Sequence, residues 1–304
     1  PILETVKGPL LVLAGAGSGK TRVLTYRIAY LIEDCGVLPG NILALTFTNK
    51  AAQEMRHRVE RLIGGMASNM WIGTFHSICV RILRRDAKAL GFSDDFTIYD
   101  TTDQKTLIKD VMRQLNISEK DIKVAFARAK ISEAKNEWTS PERFQDLYSK
   151  DYQLKLVGKI YAEYQVRLHK NNAMDFDDLL LNTLVLLKGE PELLDFYQRK
   201  FMFVHVDEYQ DTNSVQYQLI RMLANNHKNL CVVGDNDQSI YGWRGADIRN
   251  IEDFEKDFTG ASAVLLEQNY RSSQTILNLA NHVIQNNTNR KDKKLWTEIG
   301  RAHV

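Results

Sequence analysis

Short apolar runs recur along the chain at Leu10–Ala14, Ile42–Thr46, Met202–Val206, Leu230–Gly234 and Ala263–Glu267. Each has the length of a buried strand, and segments of helical periodicity lie between them. That alternation predicts an α/β fold with a mostly parallel sheet. Each run ends in a small, polar or glycine-rich cluster. Ligands in open α/β sheets bind at the carboxyl ends of the strands, so these clusters are expected to share one edge. The pattern leaves the strand order open.

The stretch 92–172 reads differently. It has no strand-like run and carries Lys, Arg, Glu, Gln and Leu at helical spacing. Ser140-Pro141-Glu142 reads as a helix start, with Ser as N-cap and Pro at the first helical position. The stretch is read as an all-helical subdomain inserted into the α/β domain; the alternative is a set of helices covering the sheet.

Composition changes the picture little. The 304 residues suggest about two domains. Basic side chains number 40 against 38 acidic ones, so net charge alone does not announce nucleic-acid binding. The apolar runs are far too short to span a bilayer, and no secretory signal is visible. The first residue is Pro1, which suggests a clipped N-terminus. Cys35, Cys79 and Cys231 have neither pair nor ligand spacing. Cys231 is read as a small core residue, and a reduced, cytoplasmic setting fits.

Chemistry enters with Ala14-Gly15-Ala16-Gly17-Ser18-Gly19-Lys20-Thr21, which follows one apolar run and precedes the helical segment Arg22–Glu33. That is the strand–loop–helix context of a phosphate-binding loop. Glycines let backbone N–H groups turn toward phosphate oxygens, and the helix N-terminus adds positive potential. Lys20 is expected to reach the β and γ phosphates of ATP and Thr21 to bind Mg²⁺. Arg22 is counted with the nucleotide contacts. After the run Phe203–Val206 come Asp207 and Glu208. Asp207 is suited to hold Mg²⁺ through water, and Glu208 to orient and deprotonate the attacking water. Lys20 and Asp207 lie farther apart than a minimal phosphate-loop domain needs, as an insertion between them would produce. Tyr241, Trp243 and Arg244 sit in a loop, since glycines flank the Trp-Arg pair. From the residues alone Trp243 is either a core anchor or a platform for a stacked base.

Together with the phosphate loop, six further segments form a recognisable series: Thr46–Ala52, Gly73–Ser77, Asp175–Asp178, Asp207–Asp211, Gly234–Ala246 and Gln268–Ser272. In order and spacing the series resembles the UvrD/PcrA/Rep family of superfamily 1 DNA helicases, over about Gly8 to Glu298, and the Asp-Glu-Tyr-Gln-Asp wording looks most like the PcrA branch. The resemblance implies a RecA-like ATP-binding motor domain at 1–91 and 173–266, a helical insert at 92–172, and the start of a second motor domain at 267–298. It implies that Gln238 senses the γ-phosphate, Arg271 stabilises the transferring phosphoryl group and Tyr270 stacks on adenine. It makes Trp243 a base-stacking residue, with Tyr241 and Arg244 beside it. Phe47 and Phe176 become further base contacts, and Thr74 and His76 contacts to the DNA backbone. For Phe176 core packing stays open, and for His76 a structural role.

The implied activity is an ATP-dependent 3′–5′ DNA helicase and single-strand translocase in bacterial repair or replication. ATP and Mg²⁺ would be its cofactors. Single-stranded DNA, single-strand/duplex junctions and repair or replication proteins would be its partners, in a cytoplasmic, nucleoid-associated setting. The motor of a helicase–nuclease, or a nucleotide-gated single-strand-binding module, are the alternatives. The family's adenine-reading glutamine segment, its second catalytic arginine and the rest of the second motor domain are expected to lie outside this chain, leaving it weak in ATP binding and poor in hydrolysis. Residues 299–304 depart from the family pattern and are read as a non-native tail, a trace of sequencing-adapter DNA in a truncated gene. Pathway, protein partners and oligomeric state are not legible.

Overall fold

The computed structural model describes residues 2–242, 245–286 and 293–300. Among the described residues there are eight strands: β1 (Leu10–Ala14), β2 (Ile42–Thr46), β3 (Trp71–Thr74), β4 (Thr97–Tyr99), β5 (Ala173–Asp175), β6 (Phe203–Val206), β7 (Leu230–Gly234) and β8 (Ser262–Leu266). Six form one sheet in the order β3-β2-β6-β7-β1-β8. Every pairing in it is parallel, with registers such as Leu11↔Val232, Leu45↔Val206 and Val12↔Val264. All six carboxyl ends therefore lie on one edge.

The five predicted runs match β1, β2, β6, β7 and β8, displaced by at most one residue. The pattern missed β3, a four-residue strand that contains Gly73. It also missed β4, inside the stretch expected to be wholly helical, which pairs in parallel with β5. Three residues carry too little periodicity to register. Strands β1, β2, β3, β6 and β7 are buried throughout, as a sheet covered on both faces requires. The edge strand β8 is partly exposed. One face is covered by the helices Lys20–Glu33 and Asn49–Ile63, whose Leu24, Ile28, Leu31, Met55 and Val59 pack with Leu10, Val12, Ile42, Ala44 and Val233.

The chain divides into two compact units. The first comprises 1–75, 192–212 and 220–304 and holds the six-stranded sheet. The second comprises 76–191 and 213–219. Its helices include Thr101–Gln114, Val124–Asn136, Pro141–Leu147, Tyr152–Lys170 and Phe176–Gly189. They enclose a core of Leu107, Val111, Ile131, Val157, Ile160 and Tyr164, among others. Ser140 caps the helix it was expected to start, accepting from Arg143 N at 3.2 Å with Pro141 next in line. Asp175 and Asp178 form a reciprocal capping box at the start of Phe176–Gly189.

Beneath that capping box lies a buried ionic cluster. Lys135 Nζ is 2.7 Å from both Asp175 Oδ2 and Asp178 Oδ1, and the Tyr164 hydroxyl donates to Asp175 at 3.0 Å. One ammonium serves two buried carboxylates. Burial, then repulsion from Asp175, pushes Asp178 up to about 6, whereas at Asp175 burial is opposed by Lys135 and by hydrogen bonds from Lys135, the Asp178 N–H and Tyr164, which together hold it below its ordinary value.

Candidate nucleotide and DNA sites

The loop after β1 turns into the helix Lys20–Glu33 through two glycines with positive φ, Gly17 at 72° and Gly19 at 90°. Side chains are strained in that region. At Gly17 a Cβ would also meet Asn269 Nδ2 at 2.6 Å and Arg271 Cβ at 2.8 Å. The Ser18 hydroxyl closes the loop by donating to Gly15 O at 2.7 Å.

Two strands away, β6 delivers Asp207 and Glu208. Lys20 Nζ donates to Glu208 Oε2 at 2.8 Å, and the Thr21 hydroxyl donates to Asp207 Oδ2 at 3.3 Å. Glu208 adopts a left-handed backbone, φ 51° and ψ 45°, and its N–H donates to Asp207 Oδ1 at 3.0 Å. A non-glycine residue in that conformation costs roughly 1–2 kcal/mol. Such strain is most often kept where it aims a functional group. Burial, then the neighbouring Glu208 charge, raises Asp207 to about 6 against the pull of Lys20. Asp211 is raised to about 6 for the same two reasons, and its buried Oδ1 has no hydrogen-bond partner. Asp207, Glu208 and Asp211 all lie in the field of the Lys20 ammonium, and the paired Thr21 hydroxyl and Asp207 carboxylate are oxygen donors of the kind a hard divalent cation takes.

Gln210, the residue that sequence reasoning passed over, joins two strand ends. Its Nε2 donates to Glu208 Oε2 at 2.8 Å, and its Oε1 accepts from Asp235 N at 3.0 Å. Asp235 follows β7 and accepts through Oδ2 from the Gln238 side-chain amide. Asn269, also unassigned from sequence, ties the segment after β8 to the loop after β1. It donates to Ala16 O at 2.6 Å and accepts from Arg271 N and Ser272 N, while Tyr270 N donates to Gly17 O at 2.9 Å. Gln210 lies within Asp207–Asp211 and Asn269 within Gln268–Ser272, but an amide side chain gives no sign from sequence of which backbone it will bridge.

A cleft of about 950 Å³ opens at this edge. Its lining includes Ala16–Arg22, Glu208, Gln238, Tyr270 and Arg271, with Ile2, Leu3 and Tyr26 as an apolar flank. The structure thereby gathers most of the sequence-expected nucleotide residues. Ala14 and Gly15 sit behind the lining in β1 and the loop, and Asp207 lies behind Thr21. Tyr270 is 64% exposed.

The residues expected to contact DNA fall in both units. In the first, Phe47 follows β2 and packs its ring 5.4 Å from that of Phe75, Thr74 ends β3, and Tyr241 lies beyond β7. Phe47 and Thr74 are thus at the carboxyl ends of their strands. Trp243 and Arg244 lie outside the described residues. In the second unit the rings of His76 and Phe176 meet edge to face at 6.0 Å. Phe176 is 50% exposed, so core packing does not account for it. Burial lowers the His76 pKa and favours the neutral ring.

The sequence matches the family model of the UvrD/REP helicase N-terminal domain over residues 1–259. The chain belongs to that family. The ATP-dependent DNA helicase PcrA of Staphylococcus aureus (strain Mu50) is 56% identical over 295 residues, and that of Bacillus subtilis (strain 168) is 56% identical over 296. Each match covers 97% of this chain and 40% of the relative. The chain thus spans about two fifths of the length of the UvrD/REP-type helicases it matches. Its parallel sheet and many helices are those of the family's N-terminal, RecA-like region.

Proposed function

We propose that the chain is the nucleotide-binding front part of an ATP-driven DNA helicase that moves 3′ to 5′ along single strands in repair or replication. The observation that carries the reading is one cleft in which Lys20, Thr21, Glu208, Gln238 and Arg271 meet, delivered by the carboxyl ends of β1, β6, β7 and β8. Loop N–H groups and Lys20 bind the β and γ phosphates of ATP. Thr21 and Asp207 hold Mg²⁺, which supplies charge neutralisation at the phosphates. Among the described residues no three His, Cys, Asp or Glu side chains form a metal-binding group, and Thr21 with Asp207 are the residues that would hold the ion. Glu208 accepts the proton of the attacking water, Gln238 contacts the γ-phosphate and Arg271 stabilises charge on the transferring group. Tyr270 stacks on the base.

Single-stranded DNA is bound by Phe47, Thr74, His76, Phe176, Tyr241, Trp243 and Arg244, with aromatic faces for bases and polar groups for phosphates. A bacterial, cytoplasmic setting is supported by the bacterial relatives. No helix among the described residues is long and apolar enough to cross a membrane. Division into a motor domain (1–91 with 173–266), a helical insert (92–172) and the beginning of a second motor domain (267–298) accompanies this reading.

The test is steady-state hydrolysis of Mg·ATP by the chain with and without oligo-dT, with Lys20→Ala as control. Turnover stimulated by oligo-dT and lost in Lys20→Ala supports the motor reading. Binding of both ligands without turnover supports instead a nucleotide-gated single-strand-binding module. Failure to bind either ligand, in a chain that unfolds cooperatively, would rule both out.

A further inference from the structure

We infer that Lys293 is a positioning residue for Gln238, setting the side-chain amide that meets the γ-phosphate. The inference rests on the reading of Gln238 given above. Lys293 lies far from Gln238 in sequence, and no motif marks it. Its side chain is buried in the first unit. Nζ pairs with Asp235 Oδ1, lies 3.0 Å from Asp237 Oδ2 and donates to Asn236 Oδ1 at 3.2 Å. It therefore grips three consecutive residues of the turn that ends in Gln238.

Asp235 passes the grip on. Its Oδ1 meets Lys293 and also accepts from Asp237 N at 3.0 Å, and its backbone O accepts from Gln238 N at 2.9 Å. Its Oδ2 accepts from Gln238 Nε2. An amide has two N–H bonds and a carbonyl oxygen. With one N–H committed to Asp235, the Gln238 amide plane is fixed, and its second N–H and Oε1 remain for the cleft that Gln238 lines. Without Lys293 the buried Asp235 carboxylate loses its counter-ion, which is costly enough to rearrange the turn. A lysine that merely balanced buried acids would affect folding alone. A positioning lysine affects one phosphate.

The experiment is isothermal titration of the 304-residue chain with Mg²⁺ and either ADP or adenylyl-imidodiphosphate, a non-hydrolysable triphosphate. The parent chain is expected to prefer the triphosphate. Gln238→Ala and Lys293→Met are each expected to lose about tenfold in triphosphate affinity, the scale of one hydrogen bond to a charged group, while ADP affinity stays within about twofold. The double variant should be no worse than either single one, because both remove the same contact. If Lys293→Met does not unfold cooperatively, Lys293→Gln is read in its place, since it keeps a donor for Asn236 but no charge for Asp235. Equal loss for both nucleotides, no loss, or additive losses in the double variant would overturn the positioning role while leaving Gln238 as sensor. An unchanged preference in Gln238→Ala, or none in the parent chain, would overturn the Gln238 reading and this inference with it.

Discussion

Gln210 Nε2 donates to Glu208 Oε2 at 2.8 Å, so the acid proposed to activate water is held from the side by an amide two residues on. The same carboxylate oxygen takes the Lys20 ammonium at 2.8 Å. Gln210 Oε1 meanwhile satisfies the N–H of Asp235. One buried side chain thereby couples the end of β6 to the end of β7. Gln210→Ala should leave the Asp235 N–H without a partner and cost about 1–3 kcal/mol. Urea unfolding with an unchanged slope checks this, and a parallel fall in hydrolysis should accompany it. A cost near zero would mean that water replaces the amide.

Gly17→Ala should weaken nucleotide binding more than it weakens the fold. The new methyl would meet Asn269 Nδ2 at 2.6 Å and Arg271 Cβ at 2.8 Å, at a position where φ is already positive. The strain is about 1–2 kcal/mol before any displacement. Movement of the Asn269–Arg271 segment would carry Arg271 from the cleft. The expected loss in Mg·ATP affinity is at least about tenfold, read by titration with a fluorescent nucleotide.

The Lys135 cluster predicts a pH profile. The titratable groups facing Asp178 are Lys135, Asp175, Tyr161 and Tyr164. Asp178 titrates at about 6 when folded against an ordinary 3.8. Between those values the folded chain holds a proton that the unfolded chain has released. Its share of stability is therefore greatest below the window and lost as pH rises through it. Asp177, also raised, adds the same sign. Asp175, lowered, acts oppositely: its contribution is present above the ordinary value and is lost as pH falls through its depressed one. Melting temperatures at pH 4.5 and 6.5 should differ less in Asp178→Asn than in the parent chain. Lys135→Met should cost about 3–5 kcal/mol, as removal of one partner from a buried ion pair does.

Phe176→Ala should separate DNA binding from folding. The ring is half exposed, so its removal should cost little stability. A stacking ring contributes about 1–3 kcal/mol per base, which corresponds to roughly a 5- to 150-fold loss in oligo-dT affinity. Fluorescence anisotropy with labelled oligo-dT measures it, and unchanged affinity would remove Phe176 from the track.

Periodicity and composition determined the α/β class and five of the six strands of the main sheet, because buried parallel strands read as unbroken apolar runs. They marked the strand–loop–helix turn at Ala14–Thr21 too, since its Gly-rich spacing meets the positive φ that the turn requires at Gly17 and Gly19. The acids after Phe203–Val206 were legible for the same reason: a strand end and a charge are both local. Tertiary structure decided the rest. Strand order brings β6 and β8 to either side of β7 and β1, and no local pattern encodes that adjacency. Gln210, Asn269 and Lys293 owe their places to partners from other strand ends, reached across the sheet edge or, for Lys293, from beyond β8. The exposure of Phe176 and the left-handed backbone of Glu208 are likewise set by packing around them. Hydrogen bonds and ion pairs are directional and short-ranged, so their partners are settled only once distant segments have been folded into contact.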